Sequence, residues 1–134
     1  MPRDIQFLLK KYETRDVNEI WSDEHNKEFM QNIRTQERFE LLDGIITERI
    51  TKSRGTFTWP KAQKGRAKYL IKHFNFAGRI SEKQYIAMII VYVKLERNKD
   101  GKLNDYLSLL KEYGVDVQTF VRFLIRLNEY HIDN

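Results

Sequence analysis

The sequence predicts an all-α fold: a compact single domain of about six helices spanning residues 1–134. Three observations lead there. Apolar residues recur at helical spacing over most of the chain. Gly occurs 6 times and Pro twice, with no low-complexity linker or repeat to divide the 134 residues. Helix-capping signatures stand at the boundaries that the periodicity implies. The length suits one hydrophobic core, with no need for metals or disulfides to hold it.

A first helix is expected after Asp4, carried by Ile5, Leu8, Leu9 and Tyr12 and ending near Glu13. Val17, Ile20 and Trp21 then read as a short turn plugged into the core. A long second helix should run from about Glu24 to Ile50. Phe29, Met30 and Ile33 mark its first half, and Leu41, Leu42, Ile45, Ile46 and Ile50 its second. Asp43-Gly44 is where it could break. The rival reading is a short β-hairpin around residues 45–59, pairing Ile45 to Lys52 with Thr56 to Trp59 about Ser53-Arg54-Gly55, because Thr56-Phe57-Thr58-Trp59 alternates as a strand would. The paired spacing from Leu41 to Ile46 is hard to satisfy at period two and favours the helix.

Pro60 suits the first position of a third helix reaching about Phe74. Its faces are segregated: Lys61, Lys64, Lys68 and Lys72 form one stripe, while Ala67, Leu70, Ile71 and Phe74 form another that can face the core. Residues Asn75 to Ile80 connect it to a fourth helix, opened by a capping box of Ser81 and Gln84 with Ile80 and Tyr85 as a hydrophobic staple. That helix, to about Arg97, is apolar nearly all round and should be the central buried one. Its unbroken apolar run, Tyr85 to Val93, is far shorter than the ~20 residues a membrane span needs. Asn98-Lys99-Asp100-Gly101 ends it. Asn104 can cap a fifth helix ending at Tyr113-Gly114. Asp116 can cap a sixth, with Val117, Phe120, Val121, Leu124 and Leu127 as its buried stripe.

Charge is the strongest functional signal. Nine Lys or Arg residues lie between Arg49 and Ser81 with no Asp or Glu among them, leaving the other 15 basic residues to share the chain with all 19 acids. Phe57, Trp59, Tyr69, Phe74 and Phe76 are interleaved with the cations. Phosphates need charge and bases need flat platforms, so the pattern suits nucleic acid. The expected binding face comprises Arg49, Lys52, Arg54, Phe57, Trp59, Lys61, Lys64, Arg66, Lys68 and Lys72, with Trp59 or Phe57 stacking a base. A merely solvated helix would carry Glu as well as Lys, because mixed pairs at i, i+4 support it.

Two stretches resemble known motifs. Leu107 to Tyr113, Gly114-Val115-Asp116 and Val117 to Leu127 resemble a helix-turn-helix with buried positions at Phe120 and Phe123, whose recognition helix would expose Gln118, Thr119, Arg122 and Arg126. Leu110 stands where that family has a small residue, and the region's three basic residues are largely offset by Glu112 and Asp116, so an ordinary αα-corner is expected. Glu96 to Leu107 resembles a calcium-binding EF-hand loop, with Gly101 at the turn and Glu96, Asn98 and Asp100 as oxygen donors. Leu107 replaces the bidentate Glu, and Arg97, Lys99 and Lys102 add positive charge, so a capped turn without calcium is expected.

Enzymatic signals are thin. The absence of Cys excludes thiolate metal sites, disulfides and cysteine nucleophiles, and fits a reducing compartment. No secretory signal follows Met1-Pro2-Arg3-Asp4-Ile5. His25, His73 and His131 are widely separated, and there is neither a phosphate-binding Gly loop nor a dinucleotide turn. Glu40 and Asp43 share a helix face from which Glu48 diverges, the pattern of surface carboxylates. The sequence therefore points to a soluble intracellular, non-enzymatic accessory protein of replication, transcription or recombination, with no catalytic residues, metal or cofactor. Its expected partner is nucleic acid, DNA or RNA, single- or double-stranded. The alternative is an adaptor or inhibitor that docks the same face on an acidic surface of a larger nucleic-acid-processing enzyme.

Overall fold

The computed structural model describes residues 23–76, 79–97 and 103–133. Residue contacts divide the chain into two units, Met1–Glu37 and Arg38–Asn134. Among the described residues there are five α-helices and a 3-10 turn: α1 Asp23–Lys52, α2 Lys61–His73, α3 Glu82–Arg97, the 3-10 turn Leu103–Tyr106, α4 Leu107–Glu112 and α5 Val117–Asp133. The all-α expectation holds for these residues. The helix expected around Ile5 to Tyr12 and the plug of Val17, Ile20 and Trp21 lie outside them.

The β-hairpin around 45–59 does not form. Leu42, Ile45 and Ile46 are all buried on one side of α1, whereas a strand would turn Ile45 and Ile46 to opposite faces. Gly44 does not interrupt the helix. After Lys52 the loop is tied to itself rather than to a partner strand: the Ser53 hydroxyl accepts the Phe57 N–H at 3.0 Å, and the Thr56 hydroxyl donates to the Ser53 carbonyl at 2.9 Å. Of the first unit, Asp23–Glu37 is described, and there Met30 is exposed while Phe29 and Ile33 are half-buried.

The core of the second unit is organised around α3. Residues Ile86 to Val91 and Val93 are fully buried, so every face of the helix is covered. α2 supplies Ala67, Leu70 and Ile71, α4 Leu109 and Leu110, α5 Phe120, Phe123 and Leu127, and α1 Leu42, Ile45 and Ile46. Phe123 is the aromatic hub: it meets Phe74 and Phe76 edge-on, each at 5.6 Å between ring centres, and stacks with Phe120 at 5.9 Å. The stripe expected for α5 was partly misplaced, because Val117 and Val121 are exposed and Phe123 takes the central place.

The ends of α3 are fixed by side chains. Ser81 and Gln84 form the reciprocal capping box, with the Gln84 N–H donating to the Ser81 hydroxyl and the Ser81 N–H to the Gln84 amide oxygen at 2.9 Å. Arg38, almost wholly buried, joins α1 to this end. Its guanidinium donates twice to Glu82 and lies 4.6 Å from the centre of the Tyr85 ring. Asp116 caps α5 by accepting the Thr119 N–H at 2.7 Å. Two expected boundaries shift: Pro60 is the N-cap of α2 rather than its first residue, and Asn104 lies in the 3-10 turn rather than capping α4.

α1 and α4 end in the same Schellman geometry with different residues at its left-handed position. In α4 the Val115 N–H reaches the Leu110 carbonyl at 2.9 Å and the Gly114 N–H reaches Lys111 at 3.0 Å, with Gly114 at φ 76°. In α1 the Gly55 N–H reaches Ile50 and the Arg54 N–H reaches Thr51, each at 3.3 Å; the residue at the position of Gly114 is Arg54 at φ 54°, and Gly55 after it is left-handed too, at φ 86°. A side chain is strained there.

Replacing Ile89 by Ala should cost about 2–5 kcal/mol in chemical denaturation, as for a residue with no exposed surface. The two helix ends should respond in opposite directions: Arg54→Gly should stabilise by about 0.5–1 kcal/mol, whereas Gly114→Ala should lose about 1–2 kcal/mol. Denaturation midpoints of the two variants that moved the same way would contradict the shared geometry.

Candidate functional site

The basic segment occupies the end of α1, the loop 53–60, α2 and the connector behind it. Helical spacing sets Lys61, Lys64, Lys68 and Lys72 along one side of α2. Lys61 and Lys72 are exposed; Lys64 and Lys68 are half-buried, with the Lys68 ammonium 5.1 Å from the centre of the Phe39 ring. No acid stands in the first turn of this helix.

Folding brings acids from elsewhere to four of the nine cations. Arg49 and Lys52 share the carboxylate of Glu112, the Arg49–Glu112 pair being mostly shielded, with side chains 18% and 29% exposed. Lys52 also pairs with Glu48 at 2.8 Å. Arg66 donates two parallel hydrogen bonds to Glu96 at 3.0 and 3.1 Å, a bidentate arrangement of the stronger kind. Lys64 reaches Asp43 only at 3.8 Å, with both groups largely in water, where such a contact contributes little. Among the described residues no carboxylate pairs with Arg54, Lys61, Lys68 or Lys72. The absence of local counter-charge therefore overstated how much of the segment is uncompensated.

Phe57 and Trp59, expected to stack a base, are half-buried against the core. Their rings lie nearly parallel, 6.3 Å apart, and the Lys94 ammonium sits 4.6 Å from the centre of Phe57 and 5.5 Å from that of Trp59 while donating to the Thr58 carbonyl. The cation that these rings meet is thus one from α3. The Trp59 indole N–H is buried and has no hydrogen-bond partner among the described residues. Of the other interleaved aromatics, Phe74 is buried, Phe76 half-buried and Tyr69 48% exposed, its ring 4.5 Å from that of His73.

Shifted titrations mark structural contacts. The Lys52 ammonium is raised by its hydrogen bonds to Glu112 and then Glu48, and Arg66 by its bonds to Glu96. Burial would raise Glu96, but the hydrogen bonds from Arg66 and Tyr92 hold its carboxyl below the usual range. Burial lowers Lys94. Burial also pushes the Tyr85 phenol up to about 12, although Arg38 opposes it, and its hydroxyl donates to the Phe74 carbonyl.

Among the described residues no three His, Cys, Asp or Glu side chains come together to hold a metal ion. His131 lies 3.2 Å from the Arg66 guanidinium, and Glu96, the first donor of the EF-hand resemblance, is engaged by Arg66 and Tyr92. Residues 98–102 of that loop lie outside the described residues. Glu40, Asp43 and Glu48 are exposed on α1. No helix among the described residues is long and apolar enough to cross a membrane.

A second basic feature went unassembled in the sequence. The connector before α3 and the outer side of α5 enclose a cleft of about 320 Å³ lined by Phe76, Arg79, Ile80, Thr119, Arg122, Ile125 and Arg126. Arg122 and Arg126 were legible as exposed residues one turn apart. Arg79 joins them only through the fold, and no sequence signal links it to α5. Comparison with known proteins finds no matching family model, no matching curated protein and no matching solved structure.

The Tyr85 shift carries a pH dependence. Its folded-state value lies above the unfolded one of about 10, so the stabilisation is complete below pH ~10 and is lost as the pH rises toward 12, by up to roughly 2–3 kcal/mol. Tyr85→Phe should lower stability at neutral pH and flatten the decline between pH 10 and 12 in urea titrations. Tyr92, Tyr113 and Tyr130, also raised by burial, should leave a residual slope.

Proposed function

We propose that this chain is a small non-enzymatic nucleic-acid-binding protein, an accessory to replication, transcription or recombination, that grips phosphates with Lys61, Lys64, Lys68 and Lys72 of α2 and with Arg54. The observation that carries this reading is the contrast in charge compensation. Arg49, Lys52 and Arg66 have close carboxylate partners, whereas the lysine line has one long, exposed contact to Asp43. Like charges at this spacing repel along a helix. A polyanion relieves that repulsion, and releasing its counterions drives binding.

The dimensions fit a backbone track. From Lys61 to Lys72 a helix rises about 16 Å, close to five base-pair steps of about 3.4 Å. Arg54 adds support because glycine would be less strained at its left-handed position, and a strained side chain that persists on the surface calls for a use. Phe57 and Trp59 leave the proposed contact set, since their rings meet Lys94. The binding is then to phosphates and independent of base sequence.

The same loss of a free stacking ring favours a second reading: an adaptor or inhibitor whose lysine line docks on an acidic, nucleic-acid-like surface of a larger enzyme.

Titration of labelled single- and double-stranded oligonucleotides at two salt concentrations separates the two. Lys61→Gln and Lys72→Gln should each weaken binding almost equally for all sequences and lower the salt slope by about one unit. Arg66→Gln should leave the slope unchanged, and Glu112→Gln, by releasing Arg49 while Lys52 stays on Glu48, should steepen it. An absence of oligonucleotide binding at low salt, together with a protein partner whose capture depends on the same lysines, would replace the nucleic-acid reading with the adaptor.

A further inference from the structure

Three arginines, none of them in the lysine line, line one cleft. Arg79 comes from the connector before α3, and Arg122 and Arg126 come from successive turns of α5. All three are exposed, and none has a carboxylate partner in an ion pair among the described residues. Of the acids close to them in the chain, Glu82 is paired with Arg38, Glu129 forms no ion pair with Arg126 among the described residues, and Asp116 feels the charge of Arg122 only as the smallest of several influences, its carboxylate being committed to Thr119 at the cap of α5. Folding has therefore gathered three cations of one sign without providing the anion.

Apart from Thr119, the rest of the wall is apolar, made by Phe76, Ile80 and Ile125. An arginine fork matches the paired oxygens of a phosphate, and an aromatic side chain with two branched aliphatic ones suits a flat, weakly polar body. A bare inorganic anion would leave this apolar wall unused. The volume of about 320 Å³ lies at the lower end of the range for small-molecule sites and has room for one nucleotide unit, not for a strand.

We propose that this cleft binds a nucleoside monophosphate, with its phosphate on Arg79, Arg122 and Arg126 and its base against Phe76, Ile80 and Ile125. The ligand is either a free mononucleotide or the phosphorylated end of a strand. The site is separate from the lysine line of α2 and does not rest on the reading given to that line.

The test is titration of the full chain with AMP, adenosine and inorganic phosphate, followed by calorimetry and by NMR of the arginine Nε–H groups and the Ile125 methyls. AMP should bind at least about tenfold more tightly than either fragment, since each supplies only one half of the contacts, and should shift the signals of all three arginines. Arg122→Gln and Arg126→Gln should each weaken AMP at least about tenfold while leaving the thermal midpoint nearly unchanged, whereas Lys61→Gln should not alter AMP binding. A tighter grip on a 5′-phosphorylated oligonucleotide than on its 5′-hydroxyl counterpart, lost in Arg126→Gln, would identify a strand end as the source; AMP binding without that difference would identify the free nucleotide. The proposal is overturned if AMP does not bind at millimolar concentration, if adenosine or inorganic phosphate binds as well as AMP, or if the arginine substitutions leave AMP affinity intact. None of these results depends on whether the α2 lysines bind oligonucleotides.

Discussion

A helix with no wet face imposes a demand that the second unit is built to meet. Consecutive residues of α3 point in every direction around its axis, and from Ile86 to Val91 all of them are buried. One partner helix covers a stripe of about a third of another, so several neighbours must converge on it. α1, α2, α4 and α5 all contribute to that covering. The demand reaches past the apolar run: Lys94, one residue beyond Val93, is drawn into the same covered region, where its ammonium lies against Phe57 and Trp59 and donates to Thr58. The loop that carries those rings leads directly to Pro60 and the start of α2. The site and the core are thus joined through one buried cation.

Charge in this chain is balanced in three dimensions rather than along the sequence. Glu112 lies at the end of α4, yet pairs with Arg49 and Lys52 of α1; Glu96 of α3 neutralises Arg66 of α2. Such contacts neutralise some cations and leave others facing water, and the pattern of what is left differs from the pattern of what is present. It leaves α2 with a line of lysines and α5 with two arginines that Arg79 joins.

The local part of the fold was legible in the sequence because its signals are local. Spacing from Leu41 to Ile46 distinguishes helix from strand, Ser81 and Gln84 announce the start of α3, and Gly114 followed by Asp116 marks the junction of α4 and α5. The failures share a cause. α5 is apolar over more than half its circumference, with Val117, Val121 and Ile125 on one side and Phe120, Phe123 and Leu127 on another, so periodicity alone could not choose the buried side. Only packing on Phe74 and Phe76 decides it. In the basic segment the cations were legible, but their partners were not, since Glu96 and Glu112 lie beyond a fold that spacing does not specify. Phe57 and Trp59 read equally well as base platforms or as core, and Lys94 is the residue that distinguishes the two.

The environment of Trp59 also makes it an optical gauge. A half-buried indole with an ammonium held 5.5 Å from its ring has an excited state whose energy depends on that charge. Its emission reports whether Lys94 is seated, and hence whether the loop is closed on α3, rather than whether anything touches the lysines of α2. The chain has two tryptophans, so a Trp21→Phe background isolates the signal. Fluorescence then follows the integrity of the core during a binding titration, while the titration itself is read by another label.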